Sequence, residues 1–279
     1  MIFRCWGSRG SIPVSGKEYI KYGGDTTCIE IRTKDDDIII VDAGSGIRRL
    51  GNSLIANNRY QYNMVFTHAH WDHLMGFPFF KPLYKSKTRL VMHGCAFAQA
   101  SIKEMISRVM TSPNFPVDYE DLRADITYES ACESTFSIAS MKIIPISLSH
   151  PNWGNGYKFI EGNKSFVFLT DNELTFKHPG GLEYADYLEF AKGATLLVHD
   201  AEYTEHDYNQ TKGWGHSRYT DALRLAMEAG VEQFGLFHHN QDRCDEDVDQ
   251  IVAECKKIIA SEKSPLQCFA VSQDMEIKL

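Results

Sequence analysis

No stretch of this 279-residue chain approaches the ~18 consecutive apolar residues of a membrane-spanning helix. Its start, MIFRCWGSRG, lacks the long apolar centre of a secretory signal. Both absences point to a cytoplasmic protein without a membrane partner. Its 7 cysteines are scattered and form no C-x-x-C pair, which argues against a disulfide framework and against a thiolate zinc site. No basic run exceeds two residues and the formal net charge is −8. Long nucleic acid, which selects basic clusters, is therefore not the expected partner. A small anion held through metal stays open, because bound cations dominate a local field whatever the net charge. Repeats, low-complexity tracts and linkers are also missing, so residues 1–279 read as one domain.

Apolar residues make up 43% and charged residues 24%, ordinary values for a globular chain. Short runs rich in β-branched and aromatic residues recur, bounded by Gly, Asn and Asp. Examples are CIEIR at 28–32, DIIIVD at 37–42, YNMVF at 62–66, SFVFLT at 165–170, ATLLVH at 194–199 and QFGLF at 233–237. Helical spacing is clearest late. Val248, Ile251, Val252, Cys255 and Ile259 share a face behind an acidic first turn, and RYTDALRLAMEAG offers a second helix with Gly230 as its stop. Residues 98–110 read as helical too. The mixture predicts sheets packed inside helices.

VFTHAHWDHLMGFP, residues 65–78, places three of the chain's 11 histidines and an aspartate within six residues. His68 and His70 lie two apart just past a strand, so in extended backbone they point the same way and can grip one metal. Asp72 and His73 are adjacent and can aim at a second metal as the chain turns into a helix. Imidazole and carboxylate donors suit zinc, manganese or iron. One cluster cannot complete two sites. Further donors stand where other apolar runs end, at His150, Asp171, His238 and His239, the edge where an open sheet places its site.

The order H-x-H-x-D-H, then His, Asp and His, resembles the metallo-β-lactamase superfamily. That resemblance implies a four-layer αβ/βα sandwich (α/β class) with a dinuclear site at one edge. Carried over by position, His68, His70 and His150 would hold one divalent ion, and Asp72, His73 and His238 the other. Asp171 would bridge them. The ions would be two zinc ions, with manganese or iron as alternatives. His238 is preferred to His239 because the family ligand follows the strand. LLVHDAEYT (196–204) and KGWGHSRYTDALRLA (212–226) are similar to paired segments of the ribonuclease Z-like phosphodiesterase branch. There a histidine backed by an acid sits near the metals, here His216 and Asp200. The chain departs from the pattern with Asp200 in place of Glu and Arg218 in place of Thr. Asp72, His216 and Asp200 are the expected catalytic residues.

YGGDTT at 22–27 is also similar to this branch. Gly23 and Gly24 suit a tight turn, or a loop offering N–H groups to a phosphate. Asp42, at a strand end, orients the metal loop or forms a plain turn. Residues 95–130 form an acidic, aromatic insertion, read as a lid or as a packing helix. The basic arm that ribonuclease Z uses for tRNA has no counterpart. The expected activity is hydrolysis of a small phosphodiester such as a cyclic nucleotide. The alternative is metal-dependent hydrolysis of a lactam, thioester or lactone. A homodimer is consistent with the resemblance.

Overall fold

The computed structural model describes residues 1–94, 101–113, 115–130 and 135–279. Six strands come from the first half: β1 (Ile2–Gly7), β2 (Cys28–Arg32), β3 (Ile38–Val41), β4 (Gln61–Val65), β5 (Arg89–Gly94) and β6 (Asp125–Ser130). Seven more follow: β7 (Phe136–Ile138), β8 (Met141–Ser147), β9 (Asn155–Glu161), β10 (Lys164–Leu169), β11 (Leu196–Asp200), β12 (Gln233–Phe237) and β13 (Gln267–Ala270). The last, β14 (Glu276–Lys278), returns to the first sheet. The two sheets run β14-β1-β2-β3-β4-β5-β6 and β13-β12-β11-β10-β9-β8-β7.

Each sheet has the same succession. Three antiparallel pairings lead to its central strand, β3 or β10, and three parallel pairings follow. The chain thus repeats a topology that its residues do not repeat.

The apolar runs are nearly continuous because both faces of the inner strands are covered. In β3, Ile39 and Val41 face a core shared with Phe166, Phe168 and Val198, while Ile38 and Ile40 face the other way. Phe3 of β1 meets Phe166 of β10 edge-on with ring centroids 5.1 Å apart, which ties one sheet to the other. Each such fully buried phenylalanine is worth roughly 1.5–3 kcal/mol.

Outside the first sheet lie α1 (Ile47–Ala56), the single turn α2 (Trp71–Leu74) and α3 (Ile102–Ser107). Ile47, Leu50, Leu54, Ile102, Met105 and Ile106 fill that outer core. Outside the second sheet lie α4 (Tyr184–Ala191), α5 (Glu205–Thr211), α6 (Tyr219–Glu228) and α7 (Asp245–Ser261), with Tyr187, Leu223, Ala226, Val248 and Ile251 turned inward. The result is the expected four-layer α/β sandwich. Of the helix expected over 98–110, residues 98–100 fall outside the described residues, as do 95–97 and 114 of the insertion. The rest is α3 followed by a 3-10 turn over Arg108–Met110. No described helix is long and apolar enough to cross a membrane.

Candidate metal centre

The expected donors meet where the carboxyl ends of strands from both sheets converge. His68, His70, His150 and Asp171 form one group, and Asp72, His73, Asp171 and His238 a second. Within each, one donor atom per residue lies within 4.8 Å of all the others. Asp171 belongs to both. A third group joins Asp171 to Asp200, His216 and His238.

Within the first group, His150 Nε2 lies 2.9 Å from His70 Nδ1. Within the second, His73 Nε2 is 3.3 Å from both Asp72 Oδ2 and Asp171 Oδ1, and His238 Nε2 is 3.1 Å from Asp72 Oδ2. His238 therefore enters the cluster. His239 turns away, its Nε2 donating to the Val271 carbonyl at 2.8 Å and its ring lying against Tyr22.

Local backbone explains the aim of these side chains. Asp42, Asp171 and His238 stand just past β3, β10 and β12 with φ of 62, 53 and 58 degrees. A left-handed residue costs about 1–3 kcal/mol and turns its side chain out of the strand's alternation, a kind of strain that gathers at functional sites. His70 precedes α2, so Asp72 and His73 are thrown inward by the first helical turn.

The far nitrogens are fixed as well. Asp42 Oδ2 accepts from His73 Nδ1 at 2.8 Å, and Asp42 also takes the Thr67 N–H and hydroxyl. Of the two readings of Asp42, this is the orienting one. The Gly215 carbonyl accepts from His150 Nδ1 at 2.9 Å. Gly215 has φ +98 degrees, and a Cβ there would fall 2.1 Å from that same nitrogen, so only glycine permits the approach. Such partners set the tautomer that leaves the other nitrogen free to bind.

Two buried nitrogens, His68 Nε2 and His73 Nε2, make no hydrogen bond although they point into the cluster. Buried polar atoms are normally paired. Orphaned imidazole nitrogens facing a shared carboxylate fit a bound cation. Burial alone would raise the Asp171 carboxyl, yet His238, His73 and His68 hold it well below the carboxylate range. The Asp171 carboxylate is thus held in the deprotonated form that a metal requires.

His216 stands beside this cluster. Its Nδ1 donates to Asp200 Oδ2 at 2.5 Å, so the shorter acid does reach the imidazole. Its ring stacks on His238 at 4.7 Å. Burial disfavours its charged form, but Glu202 and Asp200 outweigh burial and raise its pKa to about 9. One side of it opens on a cavity of 640 Å³ lined by Tyr203, Asp207, Trp214, Asn240 and Arg243. Arg218 takes no part: it pairs with Asp221 and Glu205 at the start of α6. The Gly23–Thr27 segment buttresses the metal loop, with Thr26 and Ser45 exchanging hydrogen bonds of 2.9 Å.

Sequence reasoning missed two buried acids. Glu202 Oε2 accepts from His238 Nδ1 at 2.9 Å while its other oxygen takes the Asn240 amide. Glu173 is 1% exposed and holds the loop that carries His216. The detectable signal was the same for both: an acid two residues past Asp171 or Asp200, flanked by apolar strands.

Such an arrangement, two mixed sheets between helices with a His/Asp cluster at one edge, defines the metallo-β-lactamase fold. Residues 37–239 match the family model of the beta-lactamase superfamily domain, and the chain belongs to that family. It is similar to a ribonuclease Z of Sulfolobus acidocaldarius, 24% identical over 85% of this chain and 90% of that protein. Among solved structures it resembles a diphosphatase from the PhnP family, with TM-score 0.68, 14% identity and coverage of 100% and 97% of the two chains. It also resembles the short form of human tRNase Z, with TM-score 0.67, 16% identity and coverage of 100% and 99%. With these relatives it is a hydrolase, and its His/Asp clusters suit a metal site.

Proposed function

We propose that the chain is a single-domain, dinuclear metal-dependent phosphodiesterase acting on a small diester such as a cyclic nucleotide. The observation that carries this reading is that Asp171 belongs to both ligand groups and that His216, backed by Asp200, stands beside them. His68, His70 and His150 would hold one divalent ion and Asp72, His73 and His238 the other, with Asp171 between them. The donor set favours zinc, with manganese or iron as alternatives. When bound, the ions supply Lewis-acid activation of water and neutralise charge at phosphorus.

The chain's own residues do the rest. Asp200 anchors His216 through Nδ1, which leaves Nε2 to hold a proton for the departing oxygen. Asp72 steadies the mouth by accepting the Ser11 N–H at 3.0 Å. The relatives named ribonuclease Z and diphosphatase support phosphorus over carbonyl chemistry.

Ribonuclease Z relatives make RNA the competing substrate. Against it stands the cavity beside His216, which is lined by Glu202, Asp207, Asp242, Asp247 and Glu254 but by a single arginine, Arg243, and no lysine. That arginine is already bonded to Asp207. The five described cysteines are free, consistent with a cytoplasmic location.

The test is a substrate panel on metal-analysed protein, comparing a cyclic mononucleotide, an aryl diester, a thioester and precursor tRNA. Diester cleavage that responds weakly to salt is expected, with about two metals per chain and at least one lost in Asp171→Ala. Efficient tRNA processing, or preference for the thioester, would overturn the reading.

A further inference from the structure

Three of the chain's 4 tryptophans are exposed, Trp71 by 70%, Trp153 by 56% and Trp214 by 63%, and Phe176 is exposed by 40%. All four border one place. Trp71 follows His70, whose Nδ1 meets His150. Trp153 precedes Gly154, where a Cβ would sit 3.2 Å from the His68 Cβ. Trp214 precedes Gly215, which lies against His150 and Pro151. The Phe176 carbonyl accepts from the Ser149 hydroxyl at 2.6 Å, beside His150. Four loops that carry large exposed aromatic residues thus meet at the His70–His150 edge of the cluster, where His70 is the least buried donor.

Trp153 rests over Gly180 and Phe176 lies edge-on to His178, yet much of each ring stays exposed. Trp153 follows Asn152 in a left-handed backbone, φ 68 and 64 degrees, and a bulky residue at such φ is a true outlier. Strain is spent here to hold an indole at the surface rather than in a core. Scattered exposed apolar residues mean little, but a group of them around one opening marks a binding surface.

We propose that Trp71, Trp153, Trp214 and Phe176 form a stacking platform for the aromatic bases of the substrate, so that the diester is a nucleotide and not an alkyl or sugar diester. This rests on the phosphodiesterase reading of the metal centre. The occupant follows from continuity with that centre and from charge. The adjoining cavity offers a nucleotide no free arginine or lysine, because Arg243 is bonded to Asp207 and to the Glu202 carbonyl, and His216 is paired with Asp200. Affinity outside the metals must come from ring faces. Stacking accepts any base because every base has a π-face. Net charge −8 opposes an anionic lipid surface at the same rim.

The experiment uses the metal-loaded protein and two probes, adenosine 5′-monophosphate and ribose 5-phosphate, followed by tryptophan fluorescence and calorimetry. The nucleotide should bind more tightly and quench the fluorescence. Trp153→Ala and Trp214→Ala should each weaken it about 5- to 150-fold, the worth of one stacked base, while ribose 5-phosphate is unaffected. Trp→Phe at either position should restore most of the loss, which separates stacking from a disturbed loop. Equal binding of the two probes, or unchanged nucleotide affinity in the alanine variants, would overturn the platform. An aryl diester assay on the same samples separates the two readings. Cleavage with tryptophan-independent nucleotide binding removes the platform alone. Tryptophan-dependent binding by a protein that cuts no diester upholds the platform and removes the reading of the metal centre.

Discussion

The carboxylate of Glu173 accepts the backbone N–H of Gly215 at 2.8 Å. The same oxygen, Oε2, faces His178 Nε2 at 2.8 Å, and the second oxygen takes the N–H of Gly213 and the Tyr208 hydroxyl. Gly215 in turn supplies the carbonyl that seats His150, and the next residue is His216. One buried acid therefore positions a metal-facing imidazole and the imidazole beside it. Glu173→Ala strands several buried donors and should cost at least about 2 kcal/mol, seen as a lower denaturant midpoint at unchanged slope. Glu173→Gln should fare little better, because both oxygens accept and an amide NH₂ would face a donor.

Glu202 anchors His238, a donor of the second group, and also faces His216 Nδ1 at 3.4 Å. Glu202→Ala frees the His238 Nδ1 and should weaken the more labile metal about 10- to 100-fold, the usual effect of losing such a partner. A chelator competition titration checks this. An unchanged affinity for both ions would show that His238 needs no anchor.

The His216–Asp200 pair makes a prediction about leaving groups. An alkoxide needs a proton to depart and a nitrophenolate does not. His216→Ala should slow a nucleotide diester by about 10²–10⁴-fold and a nitrophenyl diester clearly less, with metal content unchanged. Asp200→Asn should show the same pattern more mildly. Equal losses on both substrates would reassign His216 to oxyanion stabilisation.

His199 predicts a pH effect on stability. Burial lowers its pKa from 6.5 to about 4, and its Nδ1 donates to the Asp200 carbonyl at 2.6 Å. The folded protein keeps it neutral where the unfolded chain takes up a proton. Its contribution is complete above pH 6.5 and is lost as pH falls toward 4. Across that window the slope of unfolding free energy against pH should be shallower in His199→Asn by up to one proton, about 1.4 kcal/mol per pH unit. Urea titrations at stepped pH measure it.

Strands 28–32 and 233–237 and helix 245–261 were legible to the residue, because β-branched runs and a capped apolar stripe are local signals. The seven donors were legible because each follows an apolar strand or lies in one dense motif. The hidden elements have weaker local signals. In α1 the buried Ile47, Leu50 and Leu54 keep helical spacing, but Gly51 among them and Gly44 and Gly46 before them read as turn. Edge strands such as β7 and β14 are three residues long and take their conformation from a neighbour. Glu173 and Glu202 were not singled out. Their burial depends on partners 40 and 36 residues away in Gly213 and His238, which no local window contains.

The two ligand groups draw their donors from the ends of β4 in one sheet and of β8, β10 and β12 in the other. A cation seated there adds to the apolar core and to the hydrogen bonds, such as that from the Tyr157 hydroxyl to the Phe66 carbonyl at 2.7 Å, that already join the two layers. Its binding free energy is then also cohesion between the halves of the molecule, growing as RT ln(1 + [M]/Kd) with free metal. How long the folded chain endures in a cell becomes a function of how tightly that cell buffers its trace metals, whether or not substrate is ever present.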